Sequence, residues 1–132
     1  MEKMDLEIDD FMNYCEYRNL SKKTLLSYEQ TLRLFSRYLI DTYKINRSEQ
    51  VTQQIILNYI NDTKERGKYT VVANENTKKT NNPQNRGDYG KKVSIVTLNN
   101  YIRNLKVYFN YMYENRIIKK NPTQKIKLIH VP

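Results

Sequence analysis

Apolar residues recur every three or four positions in four stretches of the chain, a spacing typical of amphipathic α-helices. Polar capping residues precede these stretches, and Asn or Gly follows three of them, which favours helix starts and stops there. The predicted helices run from about Asp5 to Arg18, from Ser21 to about Tyr43, from after Thr52 to Gly67, and from Ser94 or Thr97 to Asn115.

The second and fourth predicted helices carry the longest apolar stripes. In each, a hydroxyl side chain precedes the stripe and can accept a backbone N–H at the helix start. The stripe of the second consists of Leu25, Tyr28, Leu32, Phe35 and Leu39. The stripe of the fourth consists of Leu98, Tyr101, Ile102, Leu105, Tyr108, Phe109 and Met112.

Residues 68–92 interrupt this pattern with a stretch rich in Asn, Thr, Lys and Gly. A long segment without periodicity inside a compact domain is either functional or disordered. Residues 69–73 have strand character and could pair with residues 89–93, but we favour a mobile insertion. The expected fold is therefore all-α, with four helices and a long flexible loop between the third and fourth.

Length and composition fit one helical domain. The chain has 132 residues, 28% of them charged, and only three Gly and three Pro. It has no run of about 18 apolar residues that could span a membrane. The single cysteine, Cys15, lies at helical spacing from Phe11 and is expected to be a reduced core residue of a cytoplasmic protein.

The net charge of +9 is unevenly distributed. Residues 1–20 carry two basic and six acidic side chains, whereas residues 91–127 carry nine basic side chains and only Glu114 as an acid. A concentrated basic region favours an acidic partner, most commonly nucleic acid. The alternative from charge alone is a solvated basic surface.

The sequence shows no arrangement of residues that favours catalysis. The only histidine, His130, lies in the C-terminal tail, and nothing in the spacing pairs it with Cys15 or a serine. One Cys and one His do not make a metal site, and no phosphate loop or dinucleotide motif is present. We therefore expect no catalytic residues, no metal, no cofactor and no enzymatic activity from this chain alone.

Two helix starts carry the residue types that bind DNA. A helix N-terminus offers free N–H groups and partial positive charge to phosphate, and Asn and Arg can hydrogen-bond base edges. Each group could equally be an ordinary cap followed by a solvated face, but together they favour DNA. The candidate DNA-binding residues are Ser21, Lys22, Lys23 and Thr24 in the second helix, and Asn99, Asn100, Arg103 and Lys106 off the apolar stripe of the fourth.

The same segments resemble the core-binding domain of tyrosine recombinases, the phage integrase and Xer-type enzymes. That SAM-like domain typically has a Ser-x-x-Thr-x-x-x-Tyr start on its second helix, a Thr-x-Asn…Leu…Phe run on its fourth and a terminal Asn-Pro. The matching residues are Ser21, Thr24 and Tyr28; Thr97, Asn99, Leu105 and, one position late, Phe109; and Asn121 with Pro122.

The resemblance implies a SAM-like fold with its four helices in orthogonal pairs, a domain organisation and a function. Residues 1–124 would form the core-binding domain and residues 125–132, which have no partner element of their own, would begin the interdomain linker, with the catalytic domain absent. The domain, monomeric by itself, would clamp double-stranded DNA and meet other recombinase subunits in the assembled complex. The alternative is a non-enzymatic all-α module that binds protein, with an incidental basic patch.

Overall fold

The computed structural model describes residues 3–66 and 92–132, and these two ranges contain four α-helices. A 3-10 turn at Ser48–Gln50 precedes the third helix, and the described residues contain no strand, so the all-α prediction is confirmed. The predicted insertion and hairpin at 68–92 fall outside the described residues, except for Lys92. The helices are α1 (Lys3–Tyr17), α2 (Lys22–Tyr43), α3 (Gln53–Arg66) and α4 (Ile95–Glu114).

Local side-chain chemistry sets the helix ends close to where the sequence predicts them. Ser21 caps α2, with its Oγ accepting the Thr24 N–H at 3.2 Å, and Ser94 caps α4 by accepting the Thr97 N–H at 3.1 Å. Ser94, rather than Thr97, is therefore the cap of α4. Asn19 follows α1 with a φ of 59°, the left-handed conformation that asparagine adopts more readily than most residues.

An aromatic cluster joins all four helices in the core. Phe11 of α1 packs edge-to-face on Tyr108 of α4 with ring centroids 5.3 Å apart, and Phe35 of α2 packs on Tyr59 of α3 at 5.0 Å. Phe35 also meets Phe109 of α4 at 6.2 Å. Each ring is essentially inaccessible to solvent, so burial of these side chains is a large apolar contribution to stability.

Part of the acidic charge of α1 is used inside the domain. Arg33 of α2 forms salt bridges with Asp5 and Asp9 of α1 and with Glu29 of its own helix. Its Nη1 also donates to the Asp5 carbonyl at 3.0 Å. The half-buried Arg33 thus holds α1 against α2.

Candidate nucleic-acid interface

The start of α2 combines a satisfied cap with two exposed cations. The Ser21 hydroxyl accepts the Thr24 N–H and donates to Thr24 Oγ1 at 3.0 Å, so both hydroxyls are engaged in the cap. The next residues, Lys22 and Lys23, are exposed. Their backbone N–H groups lie in the first turn, where an α-helix provides no acceptor of its own. The arrangement suits an anion approaching along the helix axis.

Asn100 and Arg103 form the exposed polar pair near the start of α4. Arg103 Nη1 donates to Asn100 Oδ1 at 3.1 Å, one helical turn apart. The contact holds the guanidinium beside the amide on the solvent side. Both side chains are of the types that make bidentate contacts with base edges in the major groove.

Asn99 and Lys106, two of the candidate DNA-binding residues predicted off the apolar stripe, do not share the exposed face of Asn100 and Arg103. Asn99 is only 6% exposed; its Nδ2 donates to the Ile129 carbonyl at 3.1 Å and its Oδ1 accepts the Ile129 N–H at 2.7 Å. Lys106 is half-buried, and its Nζ donates to the carbonyls of Thr123 and Ile126 at 2.8 and 2.6 Å. Both side chains satisfy backbone groups that would otherwise lack partners in the C-terminal segment, which is residues 115–132 after α4.

The C-terminal segment is bound to α4, contrary to the expectation that residues 125–132 have no partner element. Ile126 is 5% exposed, and Ile129 packs against the core. Because Lys106 meets residues 123–126 while Asn99 meets Ile129, the segment runs antiparallel to α4. Asn121 begins this course: its Oδ1 accepts the Thr123 N–H at 2.9 Å and its Nδ2 donates to Asn110 Oδ1 at 2.6 Å.

A buried amide that the sequence reasoning missed couples α2 to α4. Asn104 Nδ2 lies 3.3 and 3.0 Å from the carbonyl and hydroxyl oxygens of Ser27, and 3.0 Å from Thr31 Oγ1. Asn104 lies three residues after Tyr101 of the apolar stripe, so its helical spacing indicated that it lies on the buried side of α4.

Two contacts give the relative direction of the helices. Asn104 meets Thr31, and Phe109, five residues later in α4, meets Phe35, four residues later in α2. The N-terminal halves of α2 and α4 therefore lie at the same end of their contact. Lys23 and Asn100 each precede the contact by about one turn, so the two predicted helix starts belong to one end of the domain.

The described residues contain no nucleophile paired with a base. Burial raises the pKa of the Cys15 thiol, and the nearby Arg18 only partly opposes that effect. His130, by contrast, lies exposed in the C-terminal segment. Residues 3–66 and 92–132 contain no cluster of His, Cys, Asp and Glu able to hold a metal ion. In the same ranges, no helix has both the length and the apolar character needed to cross a bilayer.

The fold defines a small all-α domain of the SAM-like class, with exposed cations at the start of α2 and in the N-terminal half of α4. Residues 8–77 match the family model described as phage integrase, N-terminal SAM-like domain. The chain belongs to this family, and that membership supports a role in site-specific recombination. No curated protein and no solved structure matches the chain.

Proposed function

We propose that this chain is the DNA-binding core-binding domain of a site-specific tyrosine recombinase and that it clamps the recombination site through α2 and α4. The single observation that carries the proposal is the Asn104 contact with Ser27 and Thr31, because it brings the start of α2, with Lys22 and Lys23, beside the half of α4 that carries Asn100 and Arg103. A duplex can then meet both starts at once.

The residues contact different parts of the duplex according to their chemistry. Lys22, Lys23 and the N–H groups of the first turn of α2 contact phosphate oxygens, which fix the domain on the duplex without reading sequence. Asn100 and Arg103 project from α4 toward base edges, and their mutual hydrogen bond orients them before DNA arrives. Ser21 and Thr24 hold the helix start, while Asn99 and Lys106 hold the C-terminal segment.

A salt titration of duplex binding by fluorescence anisotropy tests this function. Lys22, Lys23 and Arg103 alone give a log–log slope of about −3, so raising salt from about 50 to 200 mM weakens binding at least roughly 40-fold. Lys23→Gln flattens the slope by about one unit. The matched control is Lys44→Gln, an exposed lysine at the opposite end of α2, which leaves the slope unchanged.

A second surface favours contact with protein. A groove of about 590 Å³ lies between α1 and α2, with Met12, Leu25 and the largely exposed Leu26 among its apolar lining residues. Its charged lining consists of Asp9, Glu16 and Glu29 together with Lys22, and Arg33 pairs with Asp9 and Glu29. A groove of mixed charge with apolar walls suits a protein partner. We assign it to contact with other recombinase subunits. If the folded protein shows no duplex binding at about 50 mM salt, or binding without salt dependence, this groove and a protein-binding module become the better account.

A further inference from the structure

Three lysines beyond the end of α4 surround a cleft that the two helix starts do not include. The cleft has a volume of about 290 Å³ and is lined by Lys119, Lys120 and Lys125, with Tyr113 and Gln124 beside them. All three lysines are exposed. Among the described residues no acidic side chain lines the cleft, and no salt bridge involves these lysines. Their positive charge is available to an anion from outside the domain.

The cleft lies beside the exposed face of α4. Asn121 lines the cleft and donates to Asn110 of α4 at 2.6 Å. Asn110 follows Arg103 by seven residues, which places the two side chains about 20° apart around the helix and about 10 Å apart along it. A ligand that covers Arg103 and continues along α4 therefore reaches the cleft.

The exposed face of α4 has a neighbour on each flank. Asn104, about 100° to one side of Arg103, contacts α2. Lys106, about 60° to the other side, contacts the C-terminal segment. These contacts place α2 and the C-terminal segment about 160° apart around α4, and the cleft beside Asn110 lies about 15 Å further along α4 than Asn100. The major groove is about 12 Å wide, and a phosphate chain borders it on each side.

We propose that the cleft of Lys119, Lys120 and Lys125 binds a phosphodiester of duplex DNA. These three lysines then form a second phosphate-binding surface besides the start of α2, which we call the rim. The start of α2 holds one strand, the cleft holds the strand across the groove, and α4 enters between them. The inference rests on the proposed function, since it assumes that the same face binds DNA. It gives Lys106 and Asn99 a positioning role: they fix the rim on α4.

Charge-matched triple variants of the full chain test the rim. Lys119→Gln, Lys120→Gln and Lys125→Gln together should flatten the log–log salt slope on duplex DNA by about two to three units. The control combines Lys3→Gln, Lys44→Gln and Arg47→Gln, three exposed cations near the opposite end of α2, and should change the slope by less than one unit. Lys125→Gln alone should change it by about one unit, and thermal unfolding verifies that each variant is folded.

The possible outcomes distinguish a failure of the rim from a failure of the proposed DNA binding. If the wild-type protein shows a steep slope but both triple variants change it equally, the rim is refuted and DNA binding stands. If the wild-type protein shows no salt-dependent binding, the proposed function fails first. Inorganic tripolyphosphate serves as a competitor at matched phosphate concentration. Selective displacement of duplex from the wild type at micromolar tripolyphosphate would assign the cleft to a small polyanion and overturn the proposal.

Discussion

Removing the buried amide of Asn104 should destabilise the domain more than removing any exposed polar group of α4. Asn104 is 8% exposed, and its two N–H donors are shared among three oxygens of Ser27 and Thr31. In Asn104→Ala these bonds are lost and the Thr31 hydroxyl, itself 3% exposed, stays buried without its donor. The lost bonds and the unsatisfied group together cost about 2–3 kcal/mol of unfolding free energy.

Thermal and urea unfolding followed by circular dichroism measure this loss. At about 4 °C per kcal/mol, the midpoint of Asn104→Ala falls by roughly 8–12 °C. The matched control is Asn100→Ala, which truncates an exposed amide one turn earlier and changes stability by about 0.5 kcal/mol or less. Asn104→Asp keeps the shape but removes both donors, so it should be at least as unstable as the alanine variant. Equal midpoints for Asn104→Ala and Asn100→Ala would refute the coupling of α2 to α4.

Three further predictions concern buried groups and catalysis. Burial raises the pKa of Tyr59 from 10.0 to about 12, so the folded protein keeps this proton at pH values where the unfolded chain loses it. The contribution of Tyr59 to the unfolding free energy is therefore fully present below pH 10 and falls above it by up to about 1.4 kcal/mol per pH unit. Urea unfolding at pH 9 and 11 should show a smaller loss for Tyr59→Phe than for the wild type, and an equal loss would contradict this. Cys15 is 2% exposed and its thiol pKa is raised, so a thiol reagent at pH 8 should label it only as fast as the protein unfolds; rapid labelling of the native state would be inconsistent with that burial. The chain should not become covalently trapped on a nicked duplex substrate, and a denaturant-resistant adduct on a gel would show otherwise.

The sequence predicts the helices well because their ends depend on local chemistry. The stripe from Leu25 to Leu39, with Ser21 before it, defines α2 to within a residue of its observed bounds. Ser94 caps α4 by the same local hydrogen bond. A cap and its acceptor lie three residues apart, so no knowledge of the tertiary fold is needed.

The candidate site could be predicted only in part, because several of its polar residues have distant partners. Asn99 bonds to a residue 30 positions away, and Asn104 to residues 73 and 77 positions away. A polar side chain on a helix is usually solvated, so periodicity alone assigns Asn99 and Lys106 to the open face. Only the course of the C-terminal segment along α4 reveals that these two side chains satisfy its backbone.

The most direct test of DNA clamping by α2 and α4 is an NMR titration of the ¹⁵N-labelled chain with a duplex of about 16 base pairs at low salt. We expect the backbone amides of residues 22–24 and of Asn100 and Arg103 to shift together, along with the Arg103 side chain. Amides on the outer face of α1, such as those of Asp10 and Tyr17, should stay in place. Shifts confined to α1 and the α1–α2 groove, or no shifts from the folded protein at about 50 mM salt, would contradict it.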